Sequence, residues 1–71
     1  MNIITCNDRE METLRKSTKQ WLRVRGHTVC AWSLNGFTKV EGTDYWSTFV
    51  TLLDGEWGIH IHDDGRIERV C

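Results

Sequence analysis

The sequence predicts an α+β domain in which one N-terminal amphipathic helix packs on a four- to five-stranded antiparallel sheet, in the order β-α-β-β-β-β. Three observations carry that expectation. Residues 7–26 place apolar side chains at spacings of three and four, the period of a helix with one buried stripe. Residues 45–70 alternate apolar and polar side chains around two Asp-Gly corners, the period of half-buried strands. Finally, a chain of 71 residues suffices for one core, burying roughly 60% of its unfolded surface. Residues 1–71 are therefore expected to form a single small domain.

The opening run MNIIT reads as an early or edge strand. Asn7 followed three residues later by Glu10 is a capping-box start, in which each side chain accepts from the other residue's backbone N–H. That arrangement satisfies two of the four donors a helix leaves unpaired at its N-terminus. Gly26 suits the position just beyond the last turn. Asp8, Glu10 and Glu12 near the start and Lys19, Arg23 and Arg25 near the end complement the helix dipole. Met11, Leu14, Thr18, Trp21, Leu22 and Arg25 form the buried stripe. Arg9, Glu12, Arg15, Lys16, Lys19 and Arg23 form the other side, expected to be solvated.

Residues 27–34 are rich in β-branched and aromatic side chains and lead into Asn35-Gly36, a strong hairpin signal, with residues 37–41 as the return strand. In that register Leu34 opposes Phe37 and Trp32 opposes Lys39. Cys30, Trp32, Leu34 and Phe37 make the more apolar face of the hairpin, but Val29, Ala31 and Val40 on the other are apolar too, so alternation does not choose the buried side. Free cysteine usually behaves as a small buried apolar residue, which places Cys30 in the core; Cys71, at the chain end, is expected to fray.

After a loop at residues 42–44, a strand runs to Asp54-Gly55. A type I′ corner on those two residues sets Leu53 against Glu56, Leu52 against Trp57, Val50 against Ile59 and Thr48 against Ile61. Trp46, Thr48, Val50, Leu52, Trp57, Ile59 and Ile61 then share the core face. Tyr45, Ser47, Phe49, Thr51, Leu53, Glu56, Gly58, His60 and His62 share the other. Asp63-Asp64-Gly65 reads as a three-residue loop that brings Ile67 beside Ile61 and Glu68 opposite His60.

The formal net charge of −1 marks the whole chain as neither a basic nucleic-acid binder nor an acidic mimic. The charge is uneven: residues 8–25 carry six basic and three acidic side chains, residues 26–71 three basic and seven acidic. No long apolar run or leader-like start occurs, and three cysteines lack metal-type spacing, so a cytoplasmic protein with reduced thiols and no membrane contact is expected.

No phosphate-cradling glycine loop and no nucleophile–base context stands in the chain, so neither catalysis nor a cofactor is expected. A helix of about 18 residues is roughly 27 Å long and 10 Å wide, enough to cover only part of one sheet face, which leaves the second face open. The expectation is a non-catalytic macromolecule-binding module, a small regulator or inhibitor that meets a protein partner or a second copy of itself in a homodimer. Tyr45, Phe49, Leu53, Glu56, His60 and His62 form its contact set. The alternative is nucleic-acid binding through Arg15, Lys16, Lys19, Arg23 and Arg25 beside Trp21. A third reading is a metal site or small enzyme around His60 and His62, which a strand holds about 6.5–7 Å apart. Asp63, Asp64, His27 or a cysteine would supply its third ligand.

Overall fold

The computed structural model describes residues 2–71. In chain order the elements are β1 (Ile3–Thr5), α1 (Asp8–Val24), β2 (Ala31–Trp32), β3 (Thr38–Val40), β4 (Tyr45–Leu52), β5 (Gly55–His62) and β6 (Ile67–Arg69). The fold class is the expected one, a single helix against an antiparallel sheet, although the sheet has six strands. They run β1-β3-β4-β5-β6, with β2 also paired to β4. Among the described residues no helix is long and apolar enough to cross a membrane.

The helix begins where its local signals say it should. The Asn7 side chain accepts from the Glu10 N–H at 2.8 Å, and the Glu10 carboxylate accepts from the Asn7 N–H at 3.1 Å. Its stripe buries Thr18 and Leu22 fully and half-buries Met11, Leu14 and Trp21. The Thr18 hydroxyl donates to the Leu14 carbonyl at 2.8 Å, which keeps a polar group in the interior satisfied. Leu22 joins Phe37, Val50, Leu52, Trp57, Ile59 and Ile61 in one core.

The β4–β5 corner differs from the expected one. Leu52 pairs with Gly55, Val50 with Trp57, Thr48 with Ile59 and Trp46 with Ile61, so the corner is Leu53-Asp54 and not Asp54-Gly55. A type I′ turn would force Asp54 into positive φ. In the observed turn only Gly55 has it, at 122°, and no residue with a Cβ bears that cost. Shifting a corner by one residue moves every cross-strand partner by two, and with a side-chain period of two no residue changes face. The expected core face is accordingly intact. Leu53 alone is affected: it sits at the corner, 95% exposed, instead of on the sheet face.

The Asn35-Gly36 hairpin does not form. Both β2 and β3 lie along β4, with Ala31 opposite Thr51, Trp32 opposite Val50 and Thr38 opposite Ser47. Between Trp32 and Thr38 the chain spends six residues while β4 spends three, so three surplus residues are extruded. The extrusion turns Leu34 fully into solvent and Phe37 into the core, 1% exposed. It also lets Trp32 and Phe37 meet, with ring centroids 6.0 Å apart, where a hairpin would have opposed Phe37 to Leu34. The bulge is closed by a Gly36 N–H to Ser33 carbonyl bond of 3.0 Å. It is anchored by the Thr48 hydroxyl, which donates to the Gly36 carbonyl at 2.8 Å. Gly36 has a φ of 64°, and a Cβ there would lie 2.9 Å from the Met11 methyl.

Two further expectations fail for related reasons. Val29, not Cys30, packs on the core beside β2, and Cys30 is exposed. Arg15 does not lie on the solvated side of α1; it is half-buried with its guanidinium 5.3 Å from the centre of the Trp32 ring.

Candidate interaction face

Because α1 covers one side of the sheet, the other side is built from residues alternating with the core. Tyr45 opposes His62, Ser47 opposes His60, Phe49 opposes Gly58 and Thr51 opposes Glu56; on the next strand Glu68 opposes His60. The diagonal neighbours Tyr45 and His60 stack, with ring centroids 4.3 Å apart and planes inclined by 22°. His62 lies beside them, its centroid 5.6 Å from that of Tyr45.

Polar groups flank His62 at both ring nitrogens and its side chain is 9% exposed, but Nε2 has no hydrogen-bond partner among the described residues. Its Nδ1 lies 3.5 Å from an Asp44 carboxylate oxygen and 3.3 Å from an Arg66 guanidinium nitrogen, and its Nε2 lies 3.5 Å from Glu68. A lone pair on Nδ1 accepts from Arg66, whereas a proton there donates to Asp44, so the two contacts belong to alternative proton placements.

Phe49 is 47% exposed and lies across Gly58. A Cβ on Gly58 would fall 3.2 Å from the Phe49 ring and 2.7 Å from the Cys71 sulfur, so the glycine is what allows the ring and the chain end to close over the strand. The chain end is correspondingly ordered, contrary to the expected fraying. The Gly58 N–H donates to the Cys71 carbonyl at 3.1 Å, the Val70 N–H donates to the Gly58 carbonyl at 2.8 Å, and Arg69 Nε donates to the Cys71 carbonyl at 2.9 Å. Val70 is 45% exposed beside this cluster.

Of the expected contact set, Tyr45, Phe49, Glu56, His60 and His62 share this face, and Leu53 does not. The structure adds Asp44, Arg66, Glu68, Val70 and Cys71 around that face. The signal for Glu68 was present, since the Asp63-Asp64-Gly65 loop correctly placed it opposite His60, whereas Asp44 and Arg66 come from loops whose course alternation does not reveal.

The groups that would complete a metal site are dispersed. His27 is on the core side, edge-on to Trp57 at 4.6 Å between centroids, and Asp63 is bound by Lys39 at 2.9 Å. Among the described residues no three side chains of His, Cys, Asp or Glu converge on a common point.

On α1, Arg25 stacks 4.0 Å from the centre of the Trp21 ring and donates to the Trp21 carbonyl at 3.0 Å, so Trp21 is not an open platform for a base. Lys16, Lys19 and Arg23 are exposed, and among the described residues the ion pairs involve only Lys39 and His62 as cationic partners. A concave region of about 1210 Å³ is lined by α1 residues that include Lys19 and Trp21, together with Gly65 and Ile67. Lys19 and Trp21 point about 200° apart around the helix axis, so the region extends round the surface of α1 instead of converging on one point. No protein-family model, no curated protein and no solved structure matches the chain.

Proposed function

We propose that the chain is a non-catalytic protein-binding module, a small regulator or inhibitor that docks its partner on the sheet face opposite α1. The supporting observation is that this face leaves Phe49 and Val70 nearly half exposed beside the Tyr45–His60–His62 cluster, in a fold whose core is complete on the other side. Apolar surface of that kind, gathered on one face and rimmed by polar groups, is the usual mark of an interaction site. The contact set is Tyr45, Phe49, Glu56, His60 and His62, with Glu68 and Val70 added and Leu53 removed.

The test is capture of a partner from the native source with wild type and with Phe49→Ser and Tyr45→Ser chains whose circular dichroism is native. Both variants are expected to lose the partner. A variant that keeps full capture refutes the reading, and so does a Phe49→Ser chain that unfolds, since the face would then be core. If the partner is a second copy, sedimentation of the wild type across a wide concentration range reads it directly.

A second reading keeps support from the exposed Lys16, Lys19 and Arg23, which lie together on α1 with no carboxylate partner among the described residues. Nucleic-acid binding there predicts a gel shift with single- or double-stranded DNA or RNA that weakens steeply as salt rises. No shift at low salt removes it.

A further inference from the structure

The chain holds seven aromatic side chains of the Trp, Tyr and Phe types, four of them tryptophan. Each tryptophan has a cation of the same chain over its ring: Arg25 on Trp21 at 4.0 Å, Arg15 on Trp32 at 5.3 Å, Lys39 on Trp46 at 5.0 Å and Arg69 on Trp57 at 4.1 Å. Cation–π pairs of this kind occur about once per 70–80 residues in ordinary proteins, so four in this chain is a systematic solution. Of the remaining three rings, Phe37 is in the core. Tyr45 and Phe49 belong to the open sheet face, and among the described residues no cation covers either.

The charge around these two rings is also one-sided. Glu56 and Glu68 stand on the same face, and Asp44 borders it through His62. Among the described residues the one cation placed there is Arg66, already against the His62 ring. Three carboxylates therefore face one guanidinium, while the free cations of α1 lie across the thickness of the sheet. We infer that the partner meets the Tyr45–Phe49 face with arginine side chains, the guanidinium plane lying on the half-exposed Phe49 ring or against the Tyr45–His60 stack and its N–H groups reaching Asp44, Glu56 or Glu68. This rests on the docking reading of that face. A guanidinium is the group that satisfies both features at once, since it stacks on rings and donates in a fork that matches a carboxylate. A nucleic-acid backbone would bring anionic charge to the same carboxylates and is disfavoured there.

The probe is a capped heptapeptide of alternating glycine and arginine, titrated into the isotopically labelled full chain and followed by amide and imidazole resonances. A peptide with glutamate in place of arginine and a short single-stranded oligonucleotide serve as competitors of opposite charge. Saturable shifts are expected at Tyr45, Phe49, His60 and Glu68, with α1 unmoved. A Asp44→Asn, Glu56→Gln, Glu68→Gln chain should bind about tenfold more weakly, and added salt should weaken the wild type in the same direction. The inference is overturned if the arginine peptide gives no saturable shift at millimolar concentration. Shifts confined to α1, equal binding of the glutamate peptide or the oligonucleotide on the sheet face, or undiminished binding by the neutralised chain also overturn it. Comparing the neutralised chain with Phe49→Ser in partner capture separates the two claims. Loss in Phe49→Ser alone leaves docking standing through apolar contact and removes the arginine component; capture unaffected in both removes docking itself.

Discussion

Thr48→Val tests the contact that holds the extruded segment between β2 and β3. Thr48 is 5% exposed, and its hydroxyl makes the one hydrogen bond to the Gly36 carbonyl found among the described residues. Valine keeps the shape and removes the donor. Gly36 is buried, so its carbonyl would lose its partner without gaining water, a cost of about 1–3 kcal/mol. The new methyl group returns roughly 0.8 kcal/mol of apolar burial. The net is a destabilisation of about 0.2–2.2 kcal/mol, against a total of roughly 4–10 kcal/mol for a domain of this length. The melting temperature should fall by roughly 1–18 °C. Thr48→Ser keeps the donor and loses a methyl group, costing about 0.5–1.5 kcal/mol through packing alone. The two variants separate in hydrogen exchange: valine should loosen the Gly36 amide, which donates to Ser33, and serine should not. Urea unfolding followed by tryptophan fluorescence, with unchanged m, gives the energies. A valine variant as stable as wild type would refute the anchoring role of Thr48.

Gly58→Val places a branched side chain against the Cys71 sulfur and the Phe49 ring; a loss of about 1–3 kcal/mol is expected, with faster exchange of the residue 58 and Val70 amides. Unchanged exchange there would show that the chain end does not depend on this glycine. Asn7→Ala removes half of the capping box and should cost about 1 kcal/mol in urea unfolding, with Glu10→Ala smaller but in the same direction. Leu53→Lys at the exposed corner should change stability by no more than about 0.5 kcal/mol; a large loss would return Leu53 to a packed position and the corner to Asp54-Gly55.

What could be read from the sequence follows the range of the interactions that decide it. The helix was legible because its start, its stripe and its end are written within a few residues of each other, and Asn7 with Glu10 behaves as the local chemistry says. The two faces of β4 and β5 were legible even though the corner was misplaced, because a two-residue shift in pairing preserves side-chain parity. Asn35-Gly36 was misread because the dipeptide reports only that the chain turns. Which strand the flanking residues join depends on burying Trp32 and Phe37 together, a contact with β4 and α1 that no local pattern encodes. Arg15 was assigned to solvent because Trp32, the ring it covers, is seventeen positions away. Arg25 over Trp21, four positions apart on one helix, was the one lid within reach of a helical-spacing argument.

The lids also account for the charge of the open face. A core this small cannot enclose four tryptophans, and of the four only Trp57 reaches burial, at 9% exposure. Long cationic side chains close the rims, because their stems cover apolar surface while their heads reach water. That arrangement engages Arg15, Arg25, Lys39 and Arg69, four of the nine basic residues. Arg9, Lys16, Lys19 and Arg23 stand exposed on α1, which leaves Arg66 as the single Lys or Arg at the opposite face. The excess of Asp44, Glu56 and Glu68 over Arg66 on that face thus follows from how the tryptophans are packed. It follows that substituting a lid, for example Arg25→Leu, should alter the environment of Trp21 without making the Tyr45–Phe49 face more acidic, because Arg25 caps α1 across the sheet and its side chain bonds, among the described residues, only to Trp21. A charge-neutral lid that nonetheless changed arginine-peptide binding would mean that the two faces are coupled through β5, and the separation of packing charge from docking charge would not hold.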